Sequence, residues 1–211
     1  MYPNPNLRVR FVVLLAAVIG GGIATLSWAY PPAVGITSRS RNCGACHQDT
    51  GPWRDDAALI VDILDAQTRV STRRPDGAFL LSVPRGETRR YLTVIGRAAA
   101  DTVAPPERNG WAYVDPTQIG TASLSKFAPN WEIDLPMSCR MVGDTLSAFP
   151  NDHVTVVPMN VRPLAGASAA DVELQLMLTS GQSVKNRPND GLTANYFMRR
   201  VRLEVTDPDV K

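Results

Sequence analysis

"DVELQLML" (residues 171–178) sets Val172, Leu174, Leu176 and Leu178 against Glu173 and Gln175 in strict alternation. A period of two with charge on the second face predicts a half-buried antiparallel strand, because a helix would bring its apolar residues round every 3.6 positions. "YFMRRVRLEV" (196–205) repeats the pattern: Phe197, Val201, Leu203 and Val205 face away from Arg200, Arg202 and Glu204. Between the two lies "TSGQSVKNRPNDGL" (179–192), whose Gly, Pro and Asn-Asp-Gly residues are turn chemistry and predict a polar loop.

Upstream, short apolar runs of strand length recur, punctuated by Pro, Gly, Asn and Asp: "FLLSV" (79–83), "YLTVIG" (91–96), "WEIDL" (131–135) and "VTVVPM" (154–159). "DDAALIVDILDA" (55–66) is two-sided. Asp55 suits a helix cap with Ile60, Ile63 and Leu64 on one face, yet Leu59, Val61 and Ile63 also alternate; we read it as a strand. There is no internal repeat and no low-complexity tract. Short strands without a long helical period predict a mainly β protein, with an immunoglobulin-like β-sandwich over residues 55–211.

The chain opens differently. Arg8 and Arg10 lead into an uncharged run from Phe11 to Tyr30, which as a helix would span roughly 30 Å, the thickness of a bilayer core. The positive flank belongs in the cytoplasm, and Trp28 and Tyr30 sit where interfacial aromatics are found. Residues 1–30 are therefore expected to be a cytoplasmic N-terminus and single transmembrane anchor. The competing reading is a cleaved signal peptide, since Ser27-Trp28-Ala29 has small residues at signal-peptidase spacing and Gly20, Gly21 and Gly22 weaken a helix. Either way the remainder is exported.

Arg8 and Arg10 are the only charges in that opening stretch, so 20 basic residues face 20 acidic ones downstream. The exported part is neutral and carries no net positive charge of the kind that attracts nucleic acid. Pro31 and Pro32 stop the helix. From Tyr30 the chain can reach at most about 45 Å to Cys43.

Residues 31–54 hold the chemistry. "RNCGACHQDTG" (41–51) contains Cys43, Cys46 and His47, two thiols with two residues between them and an imidazole directly after the second. That is the attachment pattern of c-type haem. The thiols add to two vinyl groups on one edge of the porphyrin, the spacer matches the distance between those groups, and the adjacent imidazole is held under the iron as proximal ligand. One haem c is expected, attached at Cys43 and Cys46 and ligated by His47. Arg39 and Arg41 lie close enough in sequence to offset its propionates, though solvated loop arginines are the commoner case. The alternatives are a disulfide or redox dithiol, half of a zinc site with Cys139 and His153, and a chance cluster; a thioredoxin-like dithiol belongs with a βαβ pattern that this chain lacks.

The distal iron ligand is open between Met137, Met141 and His153. Met137 and Met141 flank Cys139 in a Pro- and Gly-punctuated stretch, and His153 lies at a strand entrance. Met159 is a further candidate. Met177 and Met198 fall in predicted strands, where packing is their expected role. Cys139 is an odd thiol in an exported chain, expected to be buried and inert or to pair with another molecule. With His47 committed, hydrolytic catalysis would rest on His153 alone, and no nucleophile-elbow sequence accompanies it. "VIGGGI" lies within the apolar run and is no phosphate loop.

At "NCGACHQ" the chain resembles monohaem c-type cytochromes. The order of anchor, Cys-x-x-Cys-His and β domain is similar to that of bacterial exported proteins in which a short haem segment precedes a reeler-like β-sandwich. The resemblance implies a fold and suggests that the β domain docks to something else. The anchor and its positive flank predict a single-pass protein of the cell inner membrane with its C-terminal domain in the periplasm. A haem on so short a segment needs shielding by the β domain or by a partner, because exposed porphyrin is strongly apolar, so redox protein partners are expected, with the chain one subunit of a multi-subunit membrane electron-transfer complex, respiratory or photosynthetic. An electron carrier is expected rather than an enzyme in its own right. The alternative is an accessory subunit whose β domain binds such a complex while the haem stays off the electron path.

Overall fold

A computed structural model describes residues 49–117, 127–136, 139–182 and 191–206, all within the compact unit Ala33–Lys211. The expected membrane segment lies outside these residues. Among the described residues no helix is long and apolar enough to cross a membrane.

The described chain is mainly β. Its strands are β1 (Leu59–Asp65), β2 (Phe79–Pro84), β3 (Arg89–Arg97), β4 (Arg108–Val114), β5 (Trp131–Asp134), β6 (Cys139–Met141), β7 (Asp144–Leu146), β8 (Phe149–Pro163), β9 (Ala170–Gly181) and β10 (Leu192–Thr206). One sheet runs β1-β3-β8-β5, with β7 also pairing β8; the other runs β2-β10-β9-β4-β6. Every pairing is antiparallel except β2 with β10, where Phe79 through Pro84 run parallel to Val201 through Thr206.

The two sheets share one apolar core, because alternate residues of both turn the same way. Val61 and Ile63 (β1), Tyr91 and Ile95 (β3) and Val157, Met159 and Val161 (β8) pack in one cluster with Phe79, Leu81, Val83, Trp111, Tyr113, Leu174, Leu176 and Leu203 from the second sheet. The predicted alternation of β9 holds on this face: Val172, Leu174, Leu176 and Leu178 are at most 1% exposed. Each such side chain contributes about 1.5–3 kcal/mol of burial. β10 likewise buries Val201 and Leu203 while Arg200 and Arg202 stay in water.

β1 takes the strand reading because both of its faces are covered. Val61 and Ile63 enter the main core, while Leu64 joins Leu92, Val94 and Val154 in a second cluster on the outside of its sheet, roofed by Leu146 and Phe149. β4 is buried on both faces as well, and its Asn109 donates from Nδ2 to the Ile95 carbonyl (2.8 Å) and to Thr155 Oγ1 (3.2 Å) across the sandwich.

Pro158 inside β8 has a local explanation. The N–H of Val156 donates to the Asp144 carboxylate on the side away from β3, and Pro158, two residues on, turns its nitrogen to that same side. There β5 pairs only as far as Asn160 and β7 only as far as Val154, so no ladder donor is required between them.

Candidate haem-attachment site

Cys43, Cys46, His47 and Met137 lie outside the described residues. What the structure describes is the chain that leaves the motif. Asp49, two residues beyond His47, forms a parallel bridge to Ala194 at the start of β10, and covalent geometry keeps the His47 Cα within about 7 Å of the Asp49 Cα.

From Asp49 to Asp56 the chain is fastened to the sandwich at three places. At the first, the Asn195 carboxamide donates from Nδ2 to Asp49 Oδ1 (2.7 Å) and accepts the Trp53 N–H at Oδ1 (2.9 Å), while the Gly51 N–H donates to the Ala194 carbonyl (2.8 Å). Only glycine permits this approach: a Cβ on residue 51 would collide with Asn195 Oδ1 and lie 2.9 Å from the Ala194 carbonyl carbon and the Trp53 ring.

At the second, the Trp53 indole is 2% exposed and donates from Nε1 to the Ala104 carbonyl (2.9 Å). At the third, Arg97 and Arg199 hold the segment from below. The Arg97 guanidinium is 1% exposed; it donates to the Arg54 carbonyl (2.8 Å) and pairs with Asp56 (3.0 Å) and Asp101 (2.6 Å). Arg199 pairs with Asp55 at 2.5 Å. The Arg97 hydrogen bond, aided by the Val103 N–H, holds the Asp101 carboxyl below its usual range.

The candidate distal ligands fall into two groups. In the second sheet, Ala194, Thr179, Arg108 and Met141 stand in one row across β10, β9, β4 and β6. Met141 thus shares the end of the sandwich with Asp49, four strand spacings or about 19 Å away. It is 56% exposed. His153, exposed on β8, pairs with Arg97 at the same end of the other sheet.

Met159 is buried in the core. Met177 stands opposite Tyr196 and Gly110 in mid-sheet, and Met198 is exposed rather than packed. Beside His153 the turn between β7 and β8 lines an open cavity of about 470 Å³ with Asp144, Leu146, Phe149 and Asp152.

Cys139 carries a free thiol, half-buried opposite Gly110; burial pushes its pKa up, and Arg108 partly offsets this. Among the described residues no group of three or more His, Cys, Asp or Glu side chains converges as a metal site.

Sequence reasoning missed the fastening residues. Asn195 is 146 residues from Asp49, and no local pattern signals such a contact. Trp53 was the available clue, a large aromatic in the polar stretch "DTGPWRDD" that needs an apolar seat. No family profile matches the chain, and no curated protein matches it.

Proposed function

We propose that the chain is an exported, membrane-tethered monohaem c-type cytochrome that passes single electrons as a subunit of a larger membrane electron-transfer complex. The observation that carries this reading is the Cys43-x-x-Cys46-His47 motif followed at once by a segment bonded into a β domain. The donor set suits haem c: two thiols spaced for two vinyl groups, and an imidazole beside them. Once bound, the haem would supply a one-electron iron couple. An exposed porphyrin is strongly apolar and needs shielding, and the close seating of residues 49–56 supports the β domain as part of that shield.

We read the β domain as immunoglobulin-like. The sheet β1-β3-β8-β5 has the form of an ABED sheet, and β2-β10-β9-β4-β6 that of a GFC sheet with one strand added at each edge. Trp111 on β4 matches the buried tryptophan of strand C. The strands equivalent to B and F, β3 and β9, carry no cysteines.

Haem staining of a denaturing gel tests the function. The full chain, made in a host able to attach haem c, is expected to stain, with Cys43→Ala and Cys46→Ala each weakening the band and the double variant abolishing it. An unstained wild-type band refutes the reading. Spectra of the oxidised and reduced protein then report whether methionine is the distal ligand.

A further inference from the structure

We propose that the outer face of the second sheet carries a docking groove for an extended segment of a partner protein, one that places an aliphatic side chain on Met198 and a carboxylate on Arg74.

On the face turned away from the core, β9 and β10 set Asp171 opposite Arg202, Glu173 opposite Arg200 and Gln175 opposite Met198. Two hollows meet there. One, of about 270 Å³, is lined by Arg74, Asp76, Arg202 and Glu204; the other, of about 220 Å³, is lined by Glu173, Met198 and Pro116, the last just beyond β4. Asp171 and Arg200 belong to both, so the two form one continuous groove.

The charges of the first hollow are nearly all spent. Arg200 pairs with Asp76 at 2.8 Å, and Arg202 pairs with Glu204 at 3.1 Å and Asp171 at 3.6 Å. Arg74 differs. Its backbone N–H donates to the Ala78 carbonyl (2.7 Å), but among the described residues its guanidinium has neither a carboxylate nor a hydrogen-bond acceptor. A guanidinium without a counter-charge, beside carboxylates that are already paired, is a place for a carboxylate from outside. An exposed methionine alone is common on protein surfaces; Met198, 52% exposed, lies in a hollow, and its flexible thioether adapts to the shape of an apolar partner.

The spacing selects the occupant. Phe79 pairs with Val201, which puts Ala78, and the Arg74 turn bonded to it, beside Arg200, two residues or about 7 Å along β10 from Met198. Alternate side chains of an extended peptide stand the same distance apart, so an aliphatic and an acidic residue separated by one other reach both. Glu173 accepts only a long bond from Gln175 (3.4 Å) and is left to take a backbone N–H. A fatty-acid anion would gain nothing from Glu173 or Asp171, and a basic segment would be repelled by Arg74.

The test is a magnetic-resonance titration of the full chain with isotope-labelled methionine methyl groups. The Met198 signal is assigned by its loss in Met198→Leu, and Met141, similarly exposed on β6, is the internal control. The probes are two peptides, acetyl-Leu-Ser-Glu-amide and acetyl-Leu-Ser-Lys-amide. The acidic peptide is expected to shift the Met198 signal saturably in the millimolar range while Met141 stays unmoved, and to bind about two- to fivefold more tightly than the basic one, the worth of one exposed ion pair. Arg74→Glu reverses that order. As an exposed turn residue, it is expected to leave the melting temperature unchanged, which separates the reversal from unfolding.

No saturable shift, equal affinities for the two peptides, an order that Arg74→Glu leaves unchanged, or a parallel shift at Met141 each overturns the proposal. A Met198 shift that grows with protein concentration alone assigns the groove to a second copy of the chain and overturns it as well. None of these outcomes bears on the haem, so the cytochrome reading stands or falls separately.

Discussion

Replacing Arg97 by methionine keeps most of the aliphatic stem and removes every contact that its guanidinium makes beneath the fastened segment, leaving the Arg199–Asp55 pair in place. Three partners lose their donor. The Asp56 side chain is 48% exposed, and its pair with Arg97 contributes little because water screens it. The Arg54 carbonyl loses a hydrogen bond. The decisive term is Asp101, whose side chain is 8% exposed and whose carboxylate would be left without its cation.

Breaking a buried pair from one side costs about 3–5 kcal/mol. The lower end applies, since Asp101 still accepts the Val103 N–H at 3.0 Å. A loss of about 3 kcal/mol lowers the melting temperature of a domain this size by about 6–12 °C.

Urea and thermal unfolding at pH 7 measure the loss, and Asp101→Asn added to Arg97→Met should recover about half of it by removing the orphaned charge. The pH dependence supplies an independent check. Arg97 holds the Asp101 carboxyl low, so its stabilisation is complete above the unfolded carboxyl value near ~4 and is lost as pH falls through the lower folded value. The gap between wild type and Arg97→Met must therefore narrow in acid. A loss below about 1 kcal/mol at pH 7, or a gap that persists at low pH, refutes the reasoning.

Gly51→Ala would force a methyl group against Asn195 and the Ala194 backbone, costing about 1–3 kcal/mol; faster hydrogen exchange at the Trp53 amide locates the damage, and unchanged exchange counts against the close approach. Burial pushes the Tyr91 phenol up to about 12. Its contribution to stability is then full below the unfolded value near ~10 and drains away as pH rises through the folded one. Tyr91→Phe should flatten that alkaline decline while losing about 1 kcal/mol at neutral pH with the hydrogen bond to the Ser82 carbonyl. The Cys139 thiol, raised by burial, should alkylate several-fold more slowly at pH 8 in the folded chain than in urea, and equal rates would contradict the half-buried placement.

What the sequence disclosed follows from how each strand is covered. β9 and β10 were legible because charge marks one face along much of their length. β4, "RNGWAYV", was invisible to the same test: its outward-facing Ala112 and Val114 are as buried as its inward-facing Trp111 and Tyr113, so nothing alternates. β8 was read from Val154, but it starts at Phe149, where the polar residues Asn151 and Asp152 look like a turn and in fact form one arm of the hairpin with β7. Gln175 was assigned to the wet face, yet it is 1% exposed. The motif is read from spacing alone and lies outside the described residues. The fastening of the segment after it was not legible, since every residue that fastens Asp49 to Trp53 comes from β10 or the loop after β3, and sequence order says nothing about that meeting.

The described chain begins just beyond the motif. Upstream, covalent geometry lets Cys43 lie at most about 45 Å from Tyr30, which would limit its distance from the membrane anchor we propose. Downstream, Asp49 is bonded to a β-sheet, and the His47 Cα lies within about 7 Å of it. On the proposed reading, a haem ligated by His47 would lie close to the start of β10 at Ala194. A redox partner would then approach the β domain itself, and with 20 basic and 20 acidic residues after Tyr30 that recognition would rest on short-range complementarity more than on long-range attraction. On that reading, the fastened segment would make the β domain the part that sets the distance to the redox partner.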